Sequence, residues 1–289
     1  MGRGAPVAQD RGPQLRHALD FDDVTIDGRA WAARPRFAET HLESAAFEAR
    51  RAYALEQKLP PGPKYEEQYY PDLRGDDGYI EHRACVTGAL FCAVAAIEGA
   101  LSALYVDAVA KSPSSRTPVE RDLAAEWDGV CGKPIPVKVT AALRAVNARP
   151  KHLASWPNTE NLLRLRNLLT HFTGGSAGVR AEPDTSPAGL VQPIPAPAES
   201  ANPTSLESIL HGTGFALNPL EAARVFPFAY LGYGCAAWAV KSSQGFIDEL
   251  YSRLGERSPF ADTEEYAQRR NLPSPFTLRP LPLAVDPAS

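Results

Sequence analysis

Only one methionine and four cysteines occur in 289 residues, and no two cysteines form a Cys-x-x-Cys pair. Without such pairs the paired-thiolate zinc sites are excluded, and His41-Leu-Glu-Ser-Ala is not the two-histidine helix of a metalloprotease. Cys85, Cys92, Cys131 and Cys235 read instead as reduced, structural thiols, with Cys85 and Cys92 seven apart as fillers on one helical face. No Walker A loop, Gly-rich dinucleotide turn or serine-nucleophile elbow is present, which disfavours those three enzyme classes. The opening Met1-Gly-Arg-Gly-Ala-Pro6 lacks the apolar run of a secretory signal, and Pro6 breaks the myristoylation pattern. One long apolar run exists, Ala84 to Val106, but Glu98 sits in its middle and no aromatic or basic belt flanks it. A helix buried in a bundle fits that run better than a membrane span. The expectation is a soluble, cytoplasmic chain without a membrane partner, a metal or a cofactor.

What is there is helical. With 44% hydrophobic and 22% charged residues the chain can build a real core. Its 27 prolines are more than a bundle needs, and they gather in linkers and tails. Residues 1–37 read as an N-terminal arm, in which Val24 to Trp31 is either a short β-hairpin turning at Asp27-Gly28 or an extended arm. A helix is expected from about Glu39 to Leu59, stopped by Pro60-Pro61. A second runs from Asp77 to about Lys111, its stripe Leu90, Val94, Ile97, Leu101 and Leu104 keeping bundle spacing. Ala93, Ala96, Gly99, Ala100 and Ala103 would let neighbours come close. Shorter helices are expected over Val119–Val130, Val137–Asn147 and Thr159–Phe172, the last stopped by Gly174-Gly175. Residues 176–204 are a Pro-rich insertion, and a final helix runs from about Leu220 to Leu254, kinked or restarted at Pro227. Its stripe is Phe228, Leu231, Cys235 and Trp238. Residues 256–289 form a Pro-rich tail. The fold class is all-α, a four- to five-helix bundle over residues 38–255.

The chemistry rests on Arg166-Asn167-Leu168-Leu169-Thr170-His171, late on a bundle helix and just before a glycine stop. Looser Arg/His spacings recur at Arg11…His17 and Arg36…His41, without the asparagine and off the bundle's middle. The motif resembles that of the HEPN family (higher eukaryotes and prokaryotes nucleotide-binding). That resemblance implies a bundle of four or five helices and, in many members, a metal-independent endoribonuclease with Arg-x(4–6)-His at a dimer cleft. It also implies the role such domains commonly play, a toxin or anti-phage defence effector, with RNA, a second copy and an antitoxin or defence-system protein as partners.

Helix geometry adds a constraint of its own. At 100° per residue, Leu162, Leu165, Leu168, Leu169 and Phe172 share an arc of about 120°, which the leucines mark as the core face. Arg166 then falls just outside one edge and His171 outside the other, about 140° apart. Asn167 and His171 stack four apart, so Asn167 can orient the imidazole. Either the helix end unwinds, or two copies pool their residues. Between Lys133 and His171 seven cations stand against Glu160 alone, a local charge of +6 in a chain of net −4. This is the footprint of a phosphate-binding surface, with Arg144, Arg149, Lys151 and Arg164 as RNA contacts, or else a set of cations paired with acidic helices elsewhere. RNA carries its own 2′-hydroxyl nucleophile. His171 would move the proton and Arg166 would stabilise charge on the phosphorane, leaving a 2′,3′-cyclic phosphate and a 5′-hydroxyl. Glu98, alone among apolar neighbours, is expected to hold Arg166 or His171, or to form an ion pair elsewhere. His41, His82, His152 and His211 have weaker claims. The alternative function is a silent HEPN-like module that binds nucleotide, RNA or a protein.

Overall fold

The computed structural model describes residues 24–26, 29–31, 36–60, 77–170, 209–213, 215–220 and 229–278. The chain divides into two units, Met1–Arg36 and Phe37–Ser289. In the first, Val24–Ile26 (β1) pairs antiparallel with Arg29–Trp31 (β2), Val24 opposite Trp31 and Ile26 opposite Arg29. Asp27-Gly28, the dipeptide between them in sequence, is the pair that two-residue hairpin loops prefer.

The second unit is helical: α1 (Phe37–Glu56), α2 (Asp77–Ala110), α3 (Pro118–Val130), α4 (Ile135–Arg144), α5 (Trp156–Thr170), α6 (Tyr233–Leu254) and α7 (Ala261–Arg269). At 34 residues α2 is about 50 Å long and serves as the axis, touching α1, α3, α4, α5 and α6. Its stripe Leu90, Val94, Ile97, Leu101 and Leu104 is buried throughout. Each of the fully buried leucines contributes about 2 kcal/mol of transfer free energy. α2 is long and apolar enough to cross a membrane by composition, but 56% of that window is buried inside the protein, as a core helix requires.

Small residues set the spacing between α1 and α2. α1 buries Ala38, Ala45, Ala46, Ala49 and Ala52, and α2 buries Ala89, Ala93, Ala96 and Ala100. At Gly99 the approach is closest: an added Cβ would lie 3.0 Å from the Ala38 backbone nitrogen and 3.2 Å from Phe37 Cβ. α3 begins at a capping box, with the Glu120 N–H donating to Thr117 Oγ1 (3.2 Å) and the Thr117 N–H to Glu120 Oε2 (2.8 Å). Tyr105, fully buried on α2, donates its hydroxyl to the Lys138 carbonyl of α4 at 2.8 Å.

Three sequence expectations change. The last helix starts at Tyr233, not Leu220, because Asn218 fixes the chain before it as a folded loop. Its side-chain amide donates to the Leu231 carbonyl (2.9 Å) and accepts from the Leu220 N–H (3.0 Å). Gly232 then passes so near that a Cβ would meet Asn218 Cα at 2.8 Å and Glu56 Oε1 at 2.9 Å. Pro227 and Phe228 lie outside the described residues, as do the insertion 176–204 and the Gly174-Gly175 stop. The tail is not free after residue 255 either. It carries α7, and Phe260 and Phe276 join the core, their rings 5.1 Å apart. Arg50 donates to the carbonyls of Pro275 (3.2 Å) and Thr277 (2.7 Å), and the Tyr233 hydroxyl to that of Leu278 (3.0 Å). Finally, all four cysteines are free, but Cys131, expected to be structural like the others, is exposed at the end of α3.

Candidate functional site

α5 carries the motif, and its start is fixed from another helix. Glu249 of α6 accepts from the Ala154 N–H (2.7 Å), the Ser155 N–H (2.9 Å) and the Ser155 hydroxyl (2.5 Å). Partial burial pushes the Glu249 carboxyl upward, but the Ser155 and Ala154 donors outweigh it and hold the group below its ordinary range. Thr159, buried one turn on, donates its hydroxyl to the Ser155 carbonyl at 3.0 Å. These polar residues lie on the side of α5 that meets α6.

That contact shifts the buried face away from where the leucines alone place it. The buried positions are Thr159, Leu162, Leu163 and Leu165, while Leu168 and Leu169 are only partly covered. On a 100° wheel Arg166 falls within 40° of both Leu162 and Thr159. It therefore belongs to the inward side and not beyond its edge. Its Nε is buried and has no hydrogen-bond partner among the described residues. Asn167, next along, is exposed. His171 lies outside the described residues.

Glu98 has a different partner from the one proposed for a catalytic role. It lies half-exposed on α2 and accepts from Lys138 Nζ at 3.0 Å, while the lysine side chain is 9% exposed. The pair is an ion pair between α2 and α4: a buried ammonium requires a counter-charge, and Glu98 supplies it. The remaining cations divide. Arg144 meets Glu126 and Arg164 meets Glu160, each at 2.9 Å and in exposed pairs. Lys133, Arg149 and Lys151 are exposed and form no ion pair among the described residues. Arg149 precedes, and Lys151 lies within, a 3-10 turn, Pro150–His152, where the Arg149 N–H donates to His152 Nδ1 at 3.2 Å. Exposed pairs of this kind are worth about 0–1 kcal/mol, so a phosphate can displace the carboxylates of Glu126 and Glu160. Five cations thus remain available (Arg164 on α5, Arg149 and Lys151 in the turn before it, and Lys133 and Arg144 at the two ends of α4), and Lys138 does not.

No family model, curated protein or solved structure matches the chain.

One polar cluster escaped the sequence reading. His82 is 1% exposed, and its Nε2 lies 2.9 Å from Glu56 Oε1, which also accepts the Tyr233 N–H at 2.6 Å. Glu56 thereby caps the start of α6 from α1, where the helix dipole favours an anion, and binds α2 through the histidine. The only sequence trace is a lone histidine in an apolar helix, which does not name its partner. Buried among three helices, the cluster is a structural junction. Among the described residues no group of three or more His, Cys, Asp or Glu side chains gathers to hold a metal.

Proposed function

We propose that this chain is a metal-independent endoribonuclease of the HEPN type, a cytoplasmic toxin or anti-phage effector. It would bind RNA across α5 and its preceding turn and work as a homodimer, with an antitoxin or defence-system protein as a further partner. The observation that carries the reading is Arg166: a permanently charged guanidinium on the inward side of α5, its buried Nε without an acceptor among the described residues. Such a donor is suited to an oxyanion, since guanidinium bonds to phosphate are charge-assisted and need no proton bookkeeping. His171 transfers protons between the 2′-hydroxyl, water and the leaving 5′-oxygen, Asn167 orients it, and Arg166 stabilises the phosphorane. Arg149, Lys151, Arg144 and Arg164 hold the flanking backbone.

A second reading has an observation in its favour. Glu98 is committed to Lys138 and so does not assist Arg166 and His171, as in a module that binds RNA without cutting it. One assay separates them. Labelled RNA is incubated in EDTA with the protein, His171→Ala and Arg166→Ala, and the 3′ ends are analysed. Cleavage to cyclic phosphate, lost in both variants, is the expected result. Binding without cleavage by all three supports the module, and equal cleavage by all three removes the motif from the chemistry.

A further inference from the structure

Buried N–H groups in folded proteins nearly always meet an acceptor, because desolvating one without a replacement is costly. At the seam of α5 and α6 two have none among the described residues, Arg166 Nε and Trp238 Nε1. Their positions are related. Ala154 and Ser155 meet Glu249 while Trp156 stacks on Phe246 (ring centroids 5.9 Å), so the numbering of α6 falls as that of α5 rises. The helices run antiparallel. Arg166 is eleven residues on from Ser155, and Trp238 is eleven residues back from Glu249. Eleven residues turn about 1,100°, within about 20° of three full turns, and rise about 16 Å. Each donor thus lies on the stripe of its helix that carries the Ser155–Glu249 contact, about the same rise from it. The Phe215 ring, 5.7 Å from that of Trp238, flanks them.

We propose that Arg166 and Trp238 together form a binding site for a single phosphate group of a nucleotide chain. Guanidinium and indole are both donors without acceptor capacity, so the ligand must accept twice, and the fixed positive charge selects an anion. A tetrahedral phosphate offers oxygens in several directions and so can accept from two helices at once. Preferring it to a carboxylate rests on the ribonuclease reading above. Trp238 is in this scheme a binding residue for the phosphate that Arg166 contacts.

The test uses the full chain with nitrogen-15-labelled tryptophan, whose four indole N–H signals are recorded by NMR. Trp238→Phe, which keeps an aromatic ring and removes the donor, identifies the Trp238 signal. The probes are inorganic phosphate, acetate and a 2′-O-methyl oligoribonucleotide that cannot be cut. The expected result is a saturable shift of that signal with the oligonucleotide, and binding weakened about tenfold in Trp238→Phe, the worth of one hydrogen bond to a charged group. A matching shift with inorganic phosphate alone would support the site and make the free anion its ligand. An equal shift with acetate, or none with any probe, would overturn the proposal. The two readings fail separately. A shifted indole on a protein that cuts no RNA leaves this site standing and ends the nuclease reading. His171-dependent cleavage, with an unmoved indole and an unchanged KM in Trp238→Phe, does the reverse.

Discussion

Replacing Glu249 with alanine removes the carboxylate that starts α5, and the loss can be worked from its three bonds. The Ala154 N–H is exposed, so water takes over its bond at 2.7 Å with little change. The Ser155 N–H and hydroxyl, at 2.9 and 2.5 Å, are partly buried and lose a charged acceptor. Capping losses of this kind run at about 0.5–2 kcal/mol, and hydrogen bonds to charged groups at about 1.5–3. A total near 2–3 kcal/mol is expected, which lowers Tm by roughly 4–12 °C for a domain of this size. The sign of the pH dependence follows from the lowered carboxyl. The unfolded chain binds the proton more readily, so the stabilisation is complete above the ordinary glutamate value and is lost as pH falls through the lower folded value. The gap between parent and Glu249→Ala should therefore be constant from pH 7 to roughly 5 and shrink in more acid solution. Urea unfolding followed by circular dichroism across that range measures it. A Tm change under about 1 °C, or a gap that widens in acid, would refute the capping account.

Gly99→Ala should destabilise by about 1–3 kcal/mol in the same assay, since the new methyl meets the backbone of Ala38 rather than a side chain that can move. A neutral result would mean that α1 slides without cost. Glu98→Ala should cost about 1–3 kcal/mol by leaving buried Lys138 without its carboxylate, and adding Lys138→Met should recover most of it. RNA cleavage, where present, should survive both changes; its loss at Glu98→Ala alone would return that residue to the catalytic set. Brief alkylation of the native protein, read by mass spectrometry, should mark Cys131 first. Burial holds Cys235 at about 12, and burial with a hydrogen bond to Glu48 does the same for Cys85, so neither is a thiolate at neutral pH. Early labelling of Cys235 would contradict the packing of α6.

Much of the fold was legible because α1 to α4 announce themselves by local signals. Prolines bracket them, and the α2 stripe keeps its spacing over four turns. Predicted ends differ from observed ones by a few residues. The failures share a cause: tertiary contacts between residues far apart in sequence. Asn218 ends a loop through Leu231, Glu56 starts α6 from α1, and Arg50 anchors carbonyls more than two hundred residues away. None of these has a periodic signature. Proline content marked the segment after Arg257 as tail, yet Phe260 and Phe276 bury fully enough to hold it.

Arg166 shows the same limit at the site itself. Hydrophobicity placed the inner face of α5 on its leucines, which leaves the arginine just outside its edge. Burial follows contact rather than hydrophobicity, and α6 draws in the polar side of α5 because Glu249 satisfies Ser155 and Ser155 in turn satisfies Thr159. With that side inward, a cation one turn beyond Leu162 must enter the seam. Its Nε is covered there with no acceptor among the described residues. A guanidinium whose Nε is covered without an acceptor lowers stability unless an anion arrives, so either function maintains it or a substitution to leucine should raise Tm. Arg166→Leu thus reports on selection for binding independently of any activity assay. A more stable but RNA-blind variant is the expected outcome, and a destabilised one would mean that the arginine has a structural partner.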